Sequence, residues 1–341
     1  MRNKYIIAYL RDIGLKNIKK EDALKLTHIN VAFAKISNCE LYTKLKNLDQ
    51  LEKIRSFNPD LTILISIGGW GAGGFSEAAS SEENRKLFSK NAIEFMHKYN
   101  LDGLDLDWEY PCYSVSGIVS SPDDKVNFTL LLKELREQLD IEEKKYNKHF
   151  LLTIATGAEQ YYLDGTEMDK VHKYLDYVQL MTYDFRGGFQ ILTGHHTPLY
   201  NSTGDLFKGS THDAVKLFKS CGIPEEKLVI GAAFYARGFK GVPNFNNGLF
   251  QMAETTGGIF ANYDELKENY INKQGFVRYF DEEAKAPYLF NGNEFISYDD
   301  EESITYKCDY LKNNNLLGIM FWHYYADSTG TLLDTMYKNL K

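Results

Sequence analysis

The segment from Asp102 to Pro111 reads DGLDLDWEYP. In an extended chain, alternate side chains share a face. Asp105, Asp107 and Glu109 therefore point one way, at steps of about 6.5 Å, and Leu104, Leu106 and Trp108 point the other. Carboxylates converging in apolar surroundings lose hydration and repel one another. They persist only by sharing protons, holding a cation or reaching water. Three readings follow. The first is a solvated acidic edge, which the flanking Leu and Trp residues oppose. The second is a carboxylate site for Mg²⁺ or Ca²⁺; no His lies in the segment to widen the choice of metal. The third, preferred here, is acid catalysis. Glu109 lies outermost, Asp107 beside it can hold or pass on a proton, and Asp105 sits deeper and repels charge onto Asp107.

These residues need a rigid frame. Short runs rich in β-branched and aromatic residues recur along the chain: YIIAYL from Tyr5, HINVAFA from His28, LTILISI from Leu61 and DGLDLDW from Asp102. They continue with FLLTIAT from Phe150, YVQLMTY from Tyr177, KLVIGAAFY from Lys227 and GIMFWHYY from Gly318. Most are apolar on both parities, as strands of a buried parallel sheet are. Amphipathic helical stretches lie between them, such as Ser81–Tyr99 and Asp124–Asp140, where Phe128, Leu131, Leu132 and Leu135 recur at helical spacing. Eight alternations of strand and helix predict an α/β fold of the (β/α)8 TIM-barrel type. The last interval is the longest. A helix pattern from Glu302 precedes the eighth strand, which leaves an insertion between strands seven and eight. The expected division is a barrel over residues 1–239 and 300–341, with a small α+β lobe over 240–299 on the catalytic rim. In such barrels the active site lies at the C-terminal ends of the strands, where Glu109 stands.

The 341 residues carry 39 Lys and Arg against 47 Asp and Glu, a net charge of −8. That balance opposes tracking of a nucleic-acid backbone. No apolar run approaches the roughly 20 residues of a membrane helix. The N-terminal MRNKYIIAYL is too short in its apolar part for a signal-peptide core, so the expectation is an intracellular protein or a mature form freed of its export signal. Cys39, Cys112, Cys221 and Cys308 are far apart and are expected as free thiols, with at most two disulfides as the alternative. His195 and His196 in GHHTPLY are expected on a solvated loop rather than as a metal pair. The sequons at Asn127 and Asn201 carry little meaning without a secretory context.

DGLDLDWEYP resembles the signature strand of the family-18 glycoside hydrolases, the chitinase family, with its D-x-x-D-x-D-x-E pattern. SIGGW (Ser66–Trp70), MTYD (Met181–Asp184), GAAFYARGF (Gly231–Phe239) and GIMFWHYYAD (Gly318–Asp327) resemble, in barrel order, its other strand motifs. APYLF followed by FISYDDEESI resembles the insertion domain of the deep-cleft subfamily. The resemblance implies hydrolysis of β-1,4-linked N-acetylglucosamine by a retaining mechanism in which the substrate's own acetamido oxygen is the nucleophile. Glu109 would be general acid and then base, Asp107 would orient the acetamido N–H, and Tyr183 would hydrogen-bond its carbonyl oxygen. Trp322 would floor the distorted sugar and Trp70 would line the leaving-group side. Met181, Asp184, Tyr235, Arg237 and Phe33 are further expected substrate contacts, Arg237 either clamping a sugar or pairing with Asp184. Tyr9 is expected at the substrate site but more as support for the carboxylates, and Ser66 as a hydrogen bond to Asp105. Gly68 and Gly69 would permit close backbone approach.

Two features depart from the family pattern: no Trp shortly follows strand one, and Phe189 stands where a Trp commonly lines the positive subsites. No metal or cofactor is expected. The expected partner is chitin or a chito-oligosaccharide, acted on by a monomer, without nucleic acid or membrane. A mature secreted form is favoured, with a cytoplasmic location as the alternative. The competing functions are an endo-β-N-acetylglucosaminidase on N-glycans or cell-wall glycans, and a non-catalytic lectin. Retention of Glu109 argues against the lectin.

Overall fold

The computed structural model describes residues 4–341; residues 1–3 of the expected barrel span lie outside the described residues. Fourteen strands are described. They are β1 Tyr5–Leu10, β2 His28–Ser37, β3 Glu40–Thr43, β4 Thr62–Gly68, β5 Gly103–Asp107, β6 Leu151–Gly157 and β7 Tyr177–Met181. Then follow β8 Leu228–Ala233, β9 Tyr235–Lys240, β10 Gly258–Asn262, β11 Val277–Asp281, β12 Ala286–Phe290, β13 Glu294–Ser297 and β14 Gly318–Trp322. Eight of them pair in parallel in the order β1-β14-β8-β7-β6-β5-β4-β2, and pairing of β1 with β2 closes the cylinder. This is the predicted (β/α)8 TIM barrel. β3 adds antiparallel to the outer end of β2.

The apolar runs are explained by burial on both sides. Outward residues such as Ile6, Ile65, Leu104, Leu106 and Ile319 are fully buried against the helices. Inward residues, including Ile7, Tyr9, Ala32, Tyr177, Val229 and Met320, form a separate cluster that fills the barrel. Trp108 points outward as expected: it stacks on Phe75 at 5.2 Å and meets Phe128 edge-on at 5.3 Å. The helix expected from Ser81 runs Glu82–Lys98, with the Ser81 hydroxyl accepting from the Asn84 backbone N–H. The helix before β14 spans Glu301–Asn313 and opens with an Asp300/Ser303 capping box.

The insertion builds a second sheet, antiparallel, in the order β10-β9-β13-β12-β11, with its own core of Phe239, Val242, Tyr288, Phe290 and Phe295. Its first strand begins at Tyr235, so the boundary expected after residue 239 falls inside β9. Tyr235 and Arg237 accordingly belong to the lobe's sheet and not to the end of barrel strand seven. KLVIGAAFYARGF contains no turn residue at the change of sheet, and hydrophobic periodicity alone cannot place a break in an uninterrupted run.

Candidate active site

The C-terminal ends of the barrel strands open into one cleft of about 1340 Å³. Asp107, Glu109, Tyr183, Asp184, Met181, Tyr235, Arg237, Trp322, Trp70, Phe33 and Tyr9 all line it. Of the expected site residues, Asp105 alone lies below the cleft and does not reach it.

Asp105 occupies a rung of the barrel shared with Ser66 on β4 and Thr153 on β6. Its carboxylate is fully buried and accepts four hydrogen bonds. Tyr9 Oη at 2.9 Å and Ser66 Oγ at 2.8 Å reach one oxygen. Thr153 Oγ1 at 2.7 Å and Gln179 Nε2 at 2.8 Å reach the other. Burial pushes the Asp105 carboxyl up, and these four donors pull it back. Thr153 and Gln179 were not anticipated. Their signal was a polar residue at an inward position of an otherwise apolar strand, and Asn30, which donates to Gln179 at 2.9 Å, shows the same sign.

Asp107 ends β5, one inward position higher. It too is buried, yet its Oδ1 has no hydrogen-bond partner among the described residues. Burial first, then the Glu109 and Asp105 charges, hold its carboxyl well above the usual range. The backbone beneath it is crowded: Gly68 has φ +114°, and a Cβ there would lie 2.1 Å from the Asp107 carbonyl oxygen. The Gly69 N–H donates to that same oxygen at 2.8 Å. Glycine at 68 is thus a condition for seating Asp107, whereas at Gly69 (φ +85°) a Cβ would lie 2.6 Å from the Phe33 ring.

Glu109 stands two residues past the end of β5, on irregular backbone. Burial, with the Asp184 charge adding to it, pushes its carboxyl up to about 7; the Tyr110 side chain and, less strongly, the Lys35 ammonium oppose the shift. A carboxyl titrating there is half protonated at neutral pH and able to give or take a proton. Cis peptides occur at Ala32–Phe33, Glu109–Tyr110 and Trp322–His323, each involving at least one cleft-lining residue.

Tyr183 Oη has one weak contact, to Met320 Sδ at 3.8 Å. Asp184 is held by Tyr235 Oη at 2.6 Å and by a two-pronged contact from Arg237, at 2.8 and 2.7 Å. Burial would raise the Asp184 carboxyl, but the His196 ring close by and the hydrogen bonds from Arg237 outweigh it and leave it well below the usual range. Of the two roles expected for Arg237, pairing with Asp184 is the one seen. His195 and His196 are buried, contrary to the expected solvated loop. His195 bonds Asp281 at 3.0 Å and packs on Tyr288; His196 lies against Tyr235 with Nδ1 3.5 Å from Asp184. Both turn inward because the lobe folds over their segment.

Trp322 forms part of the cleft floor, with Phe33 stacked on it at 5.5 Å and Tyr9 at 5.8 Å. Trp70 and Phe189 meet edge-on at 6.3 Å and are 52% and 81% exposed, an open aromatic wall. Tyr110 and Tyr161, 5.1 Å apart, extend that wall and were not anticipated. The four cysteines are unpaired, and Asn201 is engaged through its amide by Asp213.

A rising carboxylate ladder with an unpartnered middle oxygen, at the mouth of a closed eight-stranded barrel, agrees with the glycosyl hydrolases family 18 model, which matches residues 5–327. The chain belongs to glycosyl hydrolase family 18. It is 40% identical over 312 residues to Chitinase A1 of Niallia circulans, covering 86% of this chain and 44% of that protein. It is 33% identical to Chitotriosidase-1 of Mus musculus, covering 87% and 66%. The family 18 chain thus spans under half the length of the first relative and about two-thirds of the second. Among solved structures, the family 18 N-acetylglucosaminidase of Paenibacillus barengoltzii superposes with a TM-score of 0.98 at 56% identity, covering 99% of this chain and all of that one. Among the described residues no helix is long and apolar enough to cross a membrane.

Proposed function

We propose that the protein hydrolyses β-1,4-linked N-acetylglucosamine chains as a chitinase-type retaining hydrolase, with the substrate's acetamido oxygen as nucleophile. The observation that carries this reading is the buried Asp107 Oδ1, a carboxylate oxygen without a donor at the floor of a sugar-sized cleft. A buried unpaired acceptor is expensive, and an acetamido N–H supplies what it lacks. Asp107 then fixes the acetamido group and balances the positive charge of the oxazolinium ion. Tyr183, free to donate, orients the attacking carbonyl oxygen. Glu109 gives its proton to the glycosidic oxygen as the C1–O bond breaks. It next takes a proton from the water that opens the oxazolinium ring at C1, which restores both sugar and enzyme. Holding the nucleophile on the substrate gives it a high effective concentration. Trp322 floors the reacting sugar, Trp70 and Phe189 face the leaving group, and the reaction needs no metal.

A second reading concerns where the chain is cut. The 56% identity to an N-acetylglucosaminidase over the full length of both chains favours release of single sugars from a chain end over cleavage within it. A cell-exterior location is also proposed. It is supported by likeness to the chitinase ChiW of Paenibacillus, described as cell-surface-expressed, at 43% identity over 98% of this chain and 42% of that one. The deciding experiment is product analysis on acetylated chitohexaose and its deacetylated counterpart. Cleavage of the acetylated chain alone, with inhibition by a thiazoline analogue of the oxazolinium ion, is the expected result. Early monomer marks the chain-end reading, and dimers and trimers mark cleavage within the chain. Equal rates on both chains without thiazoline inhibition overturn the acetamido mechanism.

A further inference from the structure

The cleft contains a cation that the mechanism above does not use. Lys35 lies on β2 and lines the cleft with Asp107 and Glu109. Its Nζ donates to the Gly68 carbonyl oxygen at 2.5 Å and lies 5.2 Å from the centre of the Phe33 ring. Gly68 is the cross-strand partner of Asp107, so this contact ties the ammonium to the backbone at the top of β5. Lysines of this protein commonly reach a carboxylate; Lys35 has none within 4.0 Å among the described residues. Its chain is half-buried, and one hydrogen bond leaves donors free. A desolvated ammonium held short of ion-pair contact acts on nearby carboxylates through its field.

We propose that Lys35 is a positioning residue for the Asp107–Glu109 pair: fixed on the Gly68 carbonyl at the top of β5, its charge opposes protonation of both carboxyls and sets the pH range in which the pair works. The inference rests on the roles given above to Asp107 and Glu109. Lys35 opposes the upward shift of both carboxyls, and burial lowers its own. The other charged groups of the cleft are Asp105 below the pair, Glu159 after β6, Arg11 and Asp12 after β1, Lys44 after β3, and Asp184 with its partners Arg237 and His196. Asp184 and Asp105 both push the pair toward protonation, although Asp184 is paired with Arg237 and the Asp105 charge is met by four hydrogen bonds. The phenols of Tyr9, Tyr110, Tyr161, Tyr162, Tyr183 and Tyr235 are all pushed up by burial and stay neutral. Among the cations of the cleft, Lys35 is the one tied to the backbone beside Asp107 and acting on both carboxyls.

Activity needs Asp107 ionised, which sets the acid limb, and Glu109 protonated, which sets the basic limb. A cation lowers both carboxyls, so removing it raises both, and the whole bell moves to higher pH. The test is the pH profile of kcat/KM on chitotriose for wild type, Lys35→Met, Lys35→Gln and Lys35→Arg. The expected result is an upward shift of both limbs by ~0.5–1 pH unit in the Met and Gln variants, and a wild-type position in the Arg variant. Profiles of the Met and Gln variants that differ from wild type in height alone overturn the proposal and reduce Lys35 to packing. Affinity for the thiazoline analogue across pH reads Asp107 without turnover, and its acid limb should move in the same direction. Wild type that ignores the thiazoline overturns the acetamido mechanism, while the kcat/KM limbs still decide the role of Lys35.

Discussion

Asp105 and Asp107 sit two residues apart on one strand, share a face and are both buried, yet they are built for opposite ends. Each oxygen of Asp105 meets two donors, so its charge is dispersed and its geometry fixed. Asp107 keeps an oxygen with no partner among the described residues and stands next to a carboxyl pushed up to about 7. Burial alone therefore does not make a carboxylate reactive. What separates the two is whether the barrel supplies donors or leaves that to a ligand. The lower rung is finished by the fold; the upper one is finished by substrate.

The contrast is broken most severely at Glu109. Glu109→Gln should lower kcat by about 10²- to 10⁴-fold while binding of chito-oligomers, measured by calorimetry, persists, because acid and amide are nearly the same size. Asp107→Asn should lower kcat by about 10²- to 10³-fold, and its thiazoline affinity should fall with it. Asp105→Asn attacks the finished rung. An amide NH₂ would face donors it cannot accept from, and the variant should lose about 2–4 kcal/mol of stability in urea unfolding.

A stability measurement sharpens the comparison without any substrate. The Glu109 carboxyl is raised on folding from an ordinary value of 4.5 to about 7. Its protonated form is the one the fold tolerates. That contribution is fully present below about pH 4.5 and is lost as pH rises through about 7. Glu109→Gln should therefore gain about 1–3 kcal/mol over wild type at pH 8, with the gain shrinking toward pH 4.5. In wild type the basic limb of kcat/KM should fall near pH 7. The smallest effect is expected at the open aromatic wall. Phe189→Ala should change kcat/KM on chitotriose by about threefold or less, since an 81% exposed ring buries little area on a short ligand.

The sequence by itself determined the barrel, the carboxylate ladder and the order of motifs around it. Strand and helix periods are local, and the D-x-D-x-E alternation puts its side chains on one face wherever the strand lies. Ser66 was legible as a support for Asp105 because neighbouring strands of a parallel barrel share rungs, and Tyr9 as a support for the carboxylates from inside the barrel. Only the tertiary structure decided the rest. It set the point where β8 gives way to β9, which no turn residue marks, and so moved Tyr235 and Arg237 onto the lobe. It buried His195 and His196 under that lobe, although their loop composition reads as solvated. It also gathered Thr153, Gln179, Tyr161 and Lys35 around the ladder from strands and loops far apart in the chain. Charge and hydrogen bonding act through space, so which carboxylate is satisfied and which waits for a ligand follows from the closed cylinder and not from any one strand.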